Sequence, residues 1–290
     1  RERFIQPFNH MKIQLHMLVG NHDIYFRNTN DVNSLDELLG YRYDNIHVYA
    51  EAQEVEFGGL PILLMPWINP QNEIYAFGMM DETKADIMMG HLELQGFEMM
   101  RGIKQPMGHG MGVEPFAHFD LCLSGHYHAS SQQGNIRYLG CQMEFTWADV
   151  DDPKYFHVLD TETREITPVR NPITMFKKVI YDDTTTDYSK VDVKDFERKF
   201  IKLIVINKND LYMFDQFVDR LQSIETYELK IAESFEEYLG ESVNDEKISL
   251  EDTTTLLDSY VDAVETDLDK DHIKVELRKL YTEAQNLEVV

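Results

Sequence analysis

The chain has 290 residues, of which 43% are hydrophobic and 11% aromatic, and its formal net charge is −25. This composition can form a hydrophobic core and excludes a chain that is disordered throughout. No apolar run reaches the roughly 18 residues needed to cross a bilayer, so the sequence predicts no membrane span. The cysteines, Cys122 and Cys141, predict a reducing compartment and no disulfide framework.

The first 170 residues alternate between predicted strands and helices and then continue as mostly antiparallel strands, a pattern typical of an α/β fold. In order, the patterns predict a helix at 1–11, a strand at 13–19, a short helix from Ser34 to Gly40, strands at 46–49, 54–57 and 60–65, a helix at 72–80, and strands at 86–94, 119–123, 135–139, 155–160 and 165–169. Ser34 with Glu37 predicts a capping box, and Gly58-Gly59 a hairpin turn. Segment 96–112, rich in Gly and Met, predicts a mobile loop.

A smaller α/β unit is predicted after Asn171-Pro172, with strands at 177–181, 200–207 and 227–232 and helices at 193–198 and 211–224. The sequence from 181 onward is acidic, with 28 Asp and Glu against 13 Lys and Arg. Two helical patterns follow in this acidic part, with apolar stripes made by Leu256, Leu257, Tyr260, Val261 and Val264 and by Ile273, Leu277, Leu280, Tyr281 and Ala284. The acidic surface serves either solubility or the binding of a partner.

Three short motifs, each directly after an apolar run, carry the residues that suggest chemistry. They are Gly20-Asn21-His22-Asp23, Gly90-His91 and Gly125-His126-Tyr127-His128. The carboxyl ends of strands in an open α/β sheet meet where ligands bind. Imidazole nitrogens and an Asn carbonyl oxygen are ligands of divalent ions. A single histidine in such a position is more often structural, but four ligand-type residues at three strand ends predict a metal centre.

The order and residues of these motifs resemble the calcineurin-like metallophosphoesterases. The smaller unit and the acidic helical tail resemble the SbcD-type recombination nucleases within that group. The resemblance implies a two-sheet β-sandwich flanked by helices over 1–170, a small α/β cap domain over 171–240, and a C-terminal helical arm over 241–290 that binds an ATPase partner. It implies two Mn²⁺ ions, with Mg²⁺ as an alternative. Its implied site residues are Asn21, His91 and His126 as ligands of one ion, His128 as a ligand of the other, His22 as the catalytic histidine, and Asp23 as the residue that orients it.

The resemblance also implies DNA and partner contacts. The parent protein is expected to be a subunit of a Mn²⁺-dependent DNA exo/endonuclease in recombination and repair, with a dinuclear site that activates water. Its expected partner is an SbcC-type ABC ATPase, in a heterotetramer that contains a homodimer of this subunit, in the cytoplasm (that of the host if the protein is phage-encoded). Lys177, Lys178 and Lys199 are the predicted DNA contacts. The predicted partner-binding residues are Leu257, Tyr260, Val261, Leu277, Leu280 and Tyr281.

Two earlier motifs of the metallophosphoesterases, Asp-x-His and Gly-Asp-x-x-Asp, do not occur in this sequence. We therefore interpret the chain as lacking its N-terminal motifs, and with them the carboxylate that bridges both ions. The expectation is that this chain is inactive as it stands and binds at most one ion, weakly.

Two other functions remain open at this stage. One is a metallophosphoesterase that acts on nucleotides or phosphoproteins, which would need neither cap nor tail. The other is a non-catalytic scaffold for the ATPase subunit. For the tail, the alternative to partner binding is that its apolar stripes fold back onto the cap.

Overall fold

The computed structural model describes residues 3–40, 42–105, 110–232, 261 and 269–285. The described residues form two compact units. The first contains those up to 141, from 155 to 170 and from 283 onward, and the second contains 142–154 and 171–282. The chain therefore enters the second unit at 142 and returns to the first for one hairpin before the boundary at 171.

The described residues of the first unit contain three complete α-helices and twelve strands. The helices are α1 (Ile5–Met11), α2 (Ser34–Leu38) and α3 (Glu73–Glu82). The strands are β1 (Leu15–Leu18), β2 (Ile46–Tyr49), β3 (Gln53–Phe57), β4 (Leu60–Met65), β5 (Ile87–Gly90), β6 (Glu98–Met100), β7 (Ile103–Lys104), β8 (Leu121–Ser124), β9 (Ser131–Gln133), β10 (Ile136–Tyr138), β11 (Tyr155–Leu159) and β12 (Ile166–Arg170).

A six-stranded mixed sheet in the order β3-β4-β5-β8-β10-β9 forms the centre of this unit. Strands β4, β5, β8 and β10 are parallel, and β3 and β9 pair antiparallel at the edges. Alternate side chains of β4 pack on the two faces: Leu63 belongs to the core cluster that contains α3, and Ile62 to the cluster that contains Leu18, Tyr49 and Leu159. The second face is therefore covered by β1, β2 and β11. The predicted α/β fold class is confirmed.

Local turns agree with the sequence patterns in one place and correct them in two. Gly58 and Gly59 have φ values of 59° and 86° between the antiparallel strands β3 and β4, which is the hairpin that the pair predicts. The N-cap of α2 is Asn33, whose side chain accepts a hydrogen bond from Asp36 N, so the capping role predicted for Ser34 is wrong. Segment 96–112 is not wholly a loop, because β6 and β7 form a hairpin within it; residues 106–109 lie outside the described residues.

The second unit contains the parallel three-stranded sheet β13 (Phe176–Asp182), β14 (Phe200–Asn207) and β15 (Glu228–Ala232), with helix α4 (Leu211–Ser223) between the last two. Phe214, Phe217 and Leu221 of α4 are buried in one core with the sheet. The helix predicted at 193–198 is instead a 3-10 turn, Lys194–Phe196. Six residues are too few to offset the cost of helix nucleation unless packing selects the helix. Arg198 has a positive φ of 57°, which a right-handed helix does not allow, so the segment ends in a turn instead.

The second helical pattern of the tail forms a helix, α5 (Lys270–Gln285). The first pattern, over 256–264, lies outside the described residues apart from Val261, which is buried. None of the helices in the described parts of the chain combines the length and the apolar character required to cross a bilayer.

A stacked histidine pair on β1 and β2 makes the stability of the first unit dependent on pH. The rings of His16 and His47 are 4.7 Å apart, and His16 Nδ1 lies 2.7 Å from Tyr49 Oη. Burial, with a smaller contribution from His47, lowers the pKa of His16 from 6.5. The folded protein then binds fewer protons than the unfolded chain, so this contribution to stability is complete above pH 6.5 and is lost as the pH falls toward the folded pKa.

We expect the free energy of unfolding, measured with urea between about pH 7.5 and about pH 5, to fall on the acid side. The variant His16→Gln has no titrating ring at this position and should show a shallower fall. An equally steep fall in the variant would contradict the assignment to His16.

Candidate metal centre

The ligand-type residues lie where the parallel strands of the large sheet end. His91 directly follows β5, and His126 follows β8 by two residues. The two strand ends are joined by a hydrogen bond from Gly125 N to Gly90 O, and His91 N donates to Met65 O at the end of β4. The end of β1 reaches the same edge, because Trp67 N donates to Val19 O at 2.8 Å. The carboxyl ends of four strands therefore meet at one place.

Three of the predicted ligand atoms converge there. His91 Nε2 is 2.9 Å from Asn21 Oδ1 and 3.3 Å from His126 Nδ1. Two donor atoms that each lie about 2.0–2.1 Å from one ion are about 2.9–3.4 Å apart at octahedral or tetrahedral angles. The two separations that involve His91 Nε2, and the set of two imidazole nitrogens and one amide oxygen, therefore fit a single divalent ion.

Gly20 makes room for this group. A Cβ at position 20 would lie 3.0 Å from His91 Nε2, so a side chain there would push against the ligand. Gly20 N also donates to Asp23 Oδ2 at 2.8 Å, and this hydrogen bond closes the turn that carries Asn21 and His22. His22 itself is exposed. The structure therefore gives Asp23 a role in shaping the turn, and its predicted orientation of His22 stays a prediction.

The backbone of His126 is strained. Its φ of 77° lies in the left-handed region, which costs a residue other than glycine on the order of 1–3 kcal/mol. The next residue, Tyr127, is buried, donates its hydroxyl hydrogen to Leu94 O at 2.9 Å and stacks on Tyr138. Because Tyr127 is anchored in the core in this way, the turn holds His126 in the position that brings its Nδ1 beside His91.

Trp67 forms a wall of the site. Its ring centroid is 5.3 Å from that of His126 and 6.1 Å from that of His91. An aromatic wall of this kind restricts the orientation of both imidazoles and limits access of water to them. The sequence left Trp67 open between a core aromatic and an aromatic at the rim of the site, because an isolated tryptophan after a strand has no signal that separates the two.

His128, the fourth predicted ligand, lies on the same turn. Its backbone N donates to Met99 O, and its ring lies within 4.8 Å of Cys141 Sγ. Its ring supplies none of the three atoms that converge from Asn21, His91 and His126. The assignment of His128 to a second ion therefore stays a prediction.

The predicted DNA contacts lie in the second unit. Lys177 is exposed and Lys178 half-buried on β13, and as neighbours on a strand they project to opposite faces. Lys199 Nζ donates to Thr174 Oγ1 at 2.6 Å. Among the predicted partner-binding residues, Leu280 is 59% exposed, Leu277 is half-buried and Val261 is buried. The side chains of Leu257, Tyr260 and Tyr281 lie outside the described residues.

Fold and site together define an α/β protein of the metallophosphoesterase-like class, with candidate metal ligands at the carboxyl edge of a mixed sheet. No protein-family profile matches the chain. The chain is 30% identical over 284 residues to exonuclease subunit 1 of Enterobacteria phage T4. The matched region covers 97% of this chain and 80% of the phage protein. It is also 25% identical over 182 residues to the SbcD component of the SbcCD nuclease of Staphylococcus epidermidis, covering 54% of this chain and 48% of that protein. The chain belongs to the SbcD-type family of nuclease subunits that includes the T4 protein.

Proposed function

We propose that this protein is the nuclease subunit of a DNA-processing complex in recombination and repair, and that it hydrolyses phosphodiester bonds. The observation that carries the proposal is the convergence of Asn21 Oδ1, His91 Nε2 and His126 Nδ1 at separations that suit one divalent ion. The names of its relatives, an exonuclease subunit and a nuclease subunit, support this substrate class.

The chain's residues divide the work between binding and proton transfer. Asn21, His91 and His126 hold the ion, Mn²⁺ or Mg²⁺, which when bound supplies Lewis-acid stabilisation of phosphate charge and lowers the pKa of water. His22 is exposed next to Asn21, so it can contact the phosphate and donate a proton to the departing oxygen. Trp67 keeps bulk water from the two ligand imidazoles.

A second Mn²⁺ belongs to the proposed mechanism, with His128 as one ligand. When bound, a pair of ions would supply charge stabilisation for the attacking and the departing oxygen of a phosphoryl displacement. The two carboxylate-bearing motifs expected for this pair do not occur in these 290 residues. We therefore propose that a chain without these motifs holds one ion weakly and does not cleave DNA by itself.

The test is digestion of linear DNA by the intact nuclease complex and by its two subunits separately, with Mn²⁺, with Mg²⁺ and with a chelator. Metal-dependent DNA cleavage that is lost with His126→Ala supports the proposal. Cleavage that persists in chelator contradicts the metal centre. Release of phosphate from nucleotides or phosphoproteins without DNA cleavage indicates a phosphatase. DNA binding with no hydrolysis of any of these substrates indicates a scaffold.

The C-terminal helix α5 is the proposed docking element for an SbcC-type ABC ATPase. Ile273, Leu277 and Leu280 recur at helical spacing, and Leu280 is 59% exposed. An amphipathic helix with a partly exposed apolar stripe fits a hydrophobic groove on a partner, and the acidic residues of the tail favour a basic groove rim. The proposed assembly is a heterotetramer in which two copies of this subunit pair.

We expect Leu277→Glu combined with Leu280→Glu to abolish ATPase binding, because it places two charges in the apolar contact. The melting temperature of the isolated subunit should change little. Size-exclusion chromatography of the mixed subunits, with differential scanning calorimetry of each variant, measures both.

The matched control is His272→Glu with Val275→Glu, two exposed positions on the same helix. Since each residue turns the helix by about 100°, Val275 lies about 160° from Leu277, on the opposite face. This control should bind the ATPase normally. A large loss of thermal stability in the Leu277/Leu280 variant, or unimpaired assembly, would support the alternative that the helix folds back onto its own chain.

A further inference from the structure

A network of buried asparagines lies beside the candidate metal centre, and the mechanism above assigns it no role. Asn30, Asn33 and Asn69 are all buried, with Asn30 only 4% exposed. A buried amide is costly unless its hydrogen-bonding groups find partners, so a cluster of three requires a specific arrangement of the backbone around it.

Asn30 joins three segments of the chain. Its Nδ2 donates to Ala50 O at 2.9 Å, just after β2, and to Trp67 O at 2.8 Å, just after β4. Its Oδ1 accepts from Asn69 Nδ2 at 2.9 Å. Its backbone oxygen accepts from Asn33 Nδ2, also at 2.9 Å. One side chain therefore ties the loop after the first motif to the ends of two strands.

The loop that contains Asn30 is the loop that carries the first motif. Ser34 N donates to Asp23 O at 2.8 Å, and Tyr25 N donates to Val32 O at 2.9 Å. These bonds close the two ends of the loop on each other. A shift of Asn30 would therefore be transmitted to the turn that presents Asn21 and His22.

The same residue holds the aromatic wall. Trp67 O accepts from both Asn30 Nδ2 and Asn72 Nδ2, at 2.8 and 3.0 Å, and Trp67 N donates to Val19 O. With its backbone fixed on both sides, the Trp67 ring is held against His91 and His126. Asn30 thus contacts both parts of the structure that surround the ligand atoms, while it lies outside the ligand group itself.

We propose that Asn30 is a positioning residue of the metal centre, which sets the place of the ligand-bearing turn and of Trp67 together. The proposal rests on the proposed function, since it takes Asn21, His91 and His126 as ligands. Groups that orient metal ligands from behind affect metal affinity by about 10- to 100-fold when they are removed.

The protein offers a matched control for an effect on stability alone. Asn45 is 7% exposed, and its Nδ2 also donates to two backbone oxygens, those of Phe8 and Ile13, at 3.3 and 2.7 Å. These bonds tie α1 to the start of β1, and neither acceptor belongs to the candidate site. Asn45→Ala therefore removes a buried amide and its two bonds to backbone oxygens, the same kind of bond that Asn30 makes to Ala50 and Trp67, without the proposed function of Asn30.

The experiment compares Asn30→Ala with Asn45→Ala in a Trp147→Phe background. The sequence has two tryptophans, so the fluorescence of this background comes from Trp67. Three quantities are measured: the melting temperature, acrylamide quenching of Trp67 fluorescence in the metal-free protein, and Mn²⁺ affinity by calorimetry. Both variants should melt at a lower temperature. Only Asn30→Ala should increase the quenching and weaken Mn²⁺ binding by about 10- to 100-fold.

Equal changes in quenching and in Mn²⁺ affinity in the two variants, or no change of either in Asn30→Ala, would overturn the proposal. If Asn30→Ala does not fold, Asn69→Ala removes the donor to Asn30 Oδ1 and is judged by the same comparison. The quenching measurement needs no metal. A background protein that binds no Mn²⁺ therefore counts against the proposed function, and the quenching difference still decides whether Asn30 positions Trp67.

Discussion

We expect His22→Ala to lower DNA cleavage by the intact nuclease complex by about 10²-fold or more and to leave Mn²⁺ and DNA binding in place. The physical reason is the position of His22, which is exposed on the turn next to Asn21 while the ligand atoms belong to Asn21, His91 and His126. In the proposed mechanism, its loss removes the proton donor to the departing oxygen and none of the candidate metal ligands. Single-turnover cleavage rates, with Mn²⁺ titration calorimetry on the same samples, measure the two effects separately.

The control for His22→Ala is His118→Ala, because His118 is also an exposed histidine of the first unit; its ring is tilted by 37° against that of Phe119. This variant should cleave DNA at the parent rate. Loss of Mn²⁺ binding by His22→Ala, with the fold intact by circular dichroism, would show that the assignment of ligands is wrong.

The second large effect is expected at His126. Its imidazole is needed for metal binding, while its backbone conformation lowers the stability of the metal-free protein. His126→Ala and His126→Gly both remove Nδ1, the atom 3.3 Å from His91 Nε2, so both should lose Mn²⁺ binding and cleavage. Position 126 has a φ of 77°, which glycine adopts without the penalty that alanine incurs. The metal-free His126→Gly protein should therefore be more stable than His126→Ala, by about 1 kcal/mol.

Calorimetry measures the Mn²⁺ affinity of both His126 variants, and urea unfolding of the metal-free proteins measures the difference in stability. Mn²⁺ binding at the parent affinity in both variants would remove His126 from the ligand set. A metal-free alanine variant as stable as the glycine variant would show that the strained turn relaxes once the imidazole is gone.

Local patterns in the sequence were sufficient to identify the parts from which the site is built. An apolar run that ends in Gly and then His, as at Gly90-His91, predicts a strand followed by a ligand-type side chain, because the alternation and the break involve only neighbouring residues. Gly58-Gly59 predicted its hairpin for the same reason. These features depend on backbone preferences that act over a few residues, so the sequence alone determined the α/β class and the candidate ligands.

The conformational preferences of single residues predicted less well where two local structures, such as two possible N-cap residues, were close in energy. Ser34 and Asn33 are both good N-cap residues, and the buried position of Asn33, with its side chain bonded to Asn30 O and Asp36 N, decides between them. Similarly, the short apolar pattern at 193–198 does not form a helix, because burial of Phe196 in the core is reached by a single 3-10 turn.

Only the tertiary structure decided which distant segments surround the ligand atoms. Asn30 bonds to Trp67 and Ala50, which lie 37 and 20 residues further along the chain, and His91 meets Asn21 across 70 residues. No periodicity or spacing encodes such pairs, since they depend on the order in which β1, β4, β5 and β8 come together at one edge. The sequence by itself thus identified the candidate ligand residues. The packing of strands far apart in sequence decided that Asn21, His91 and His126 meet beside Trp67 and the buried amides. Those amides have defined partners because an unpaired polar group in the interior is costly.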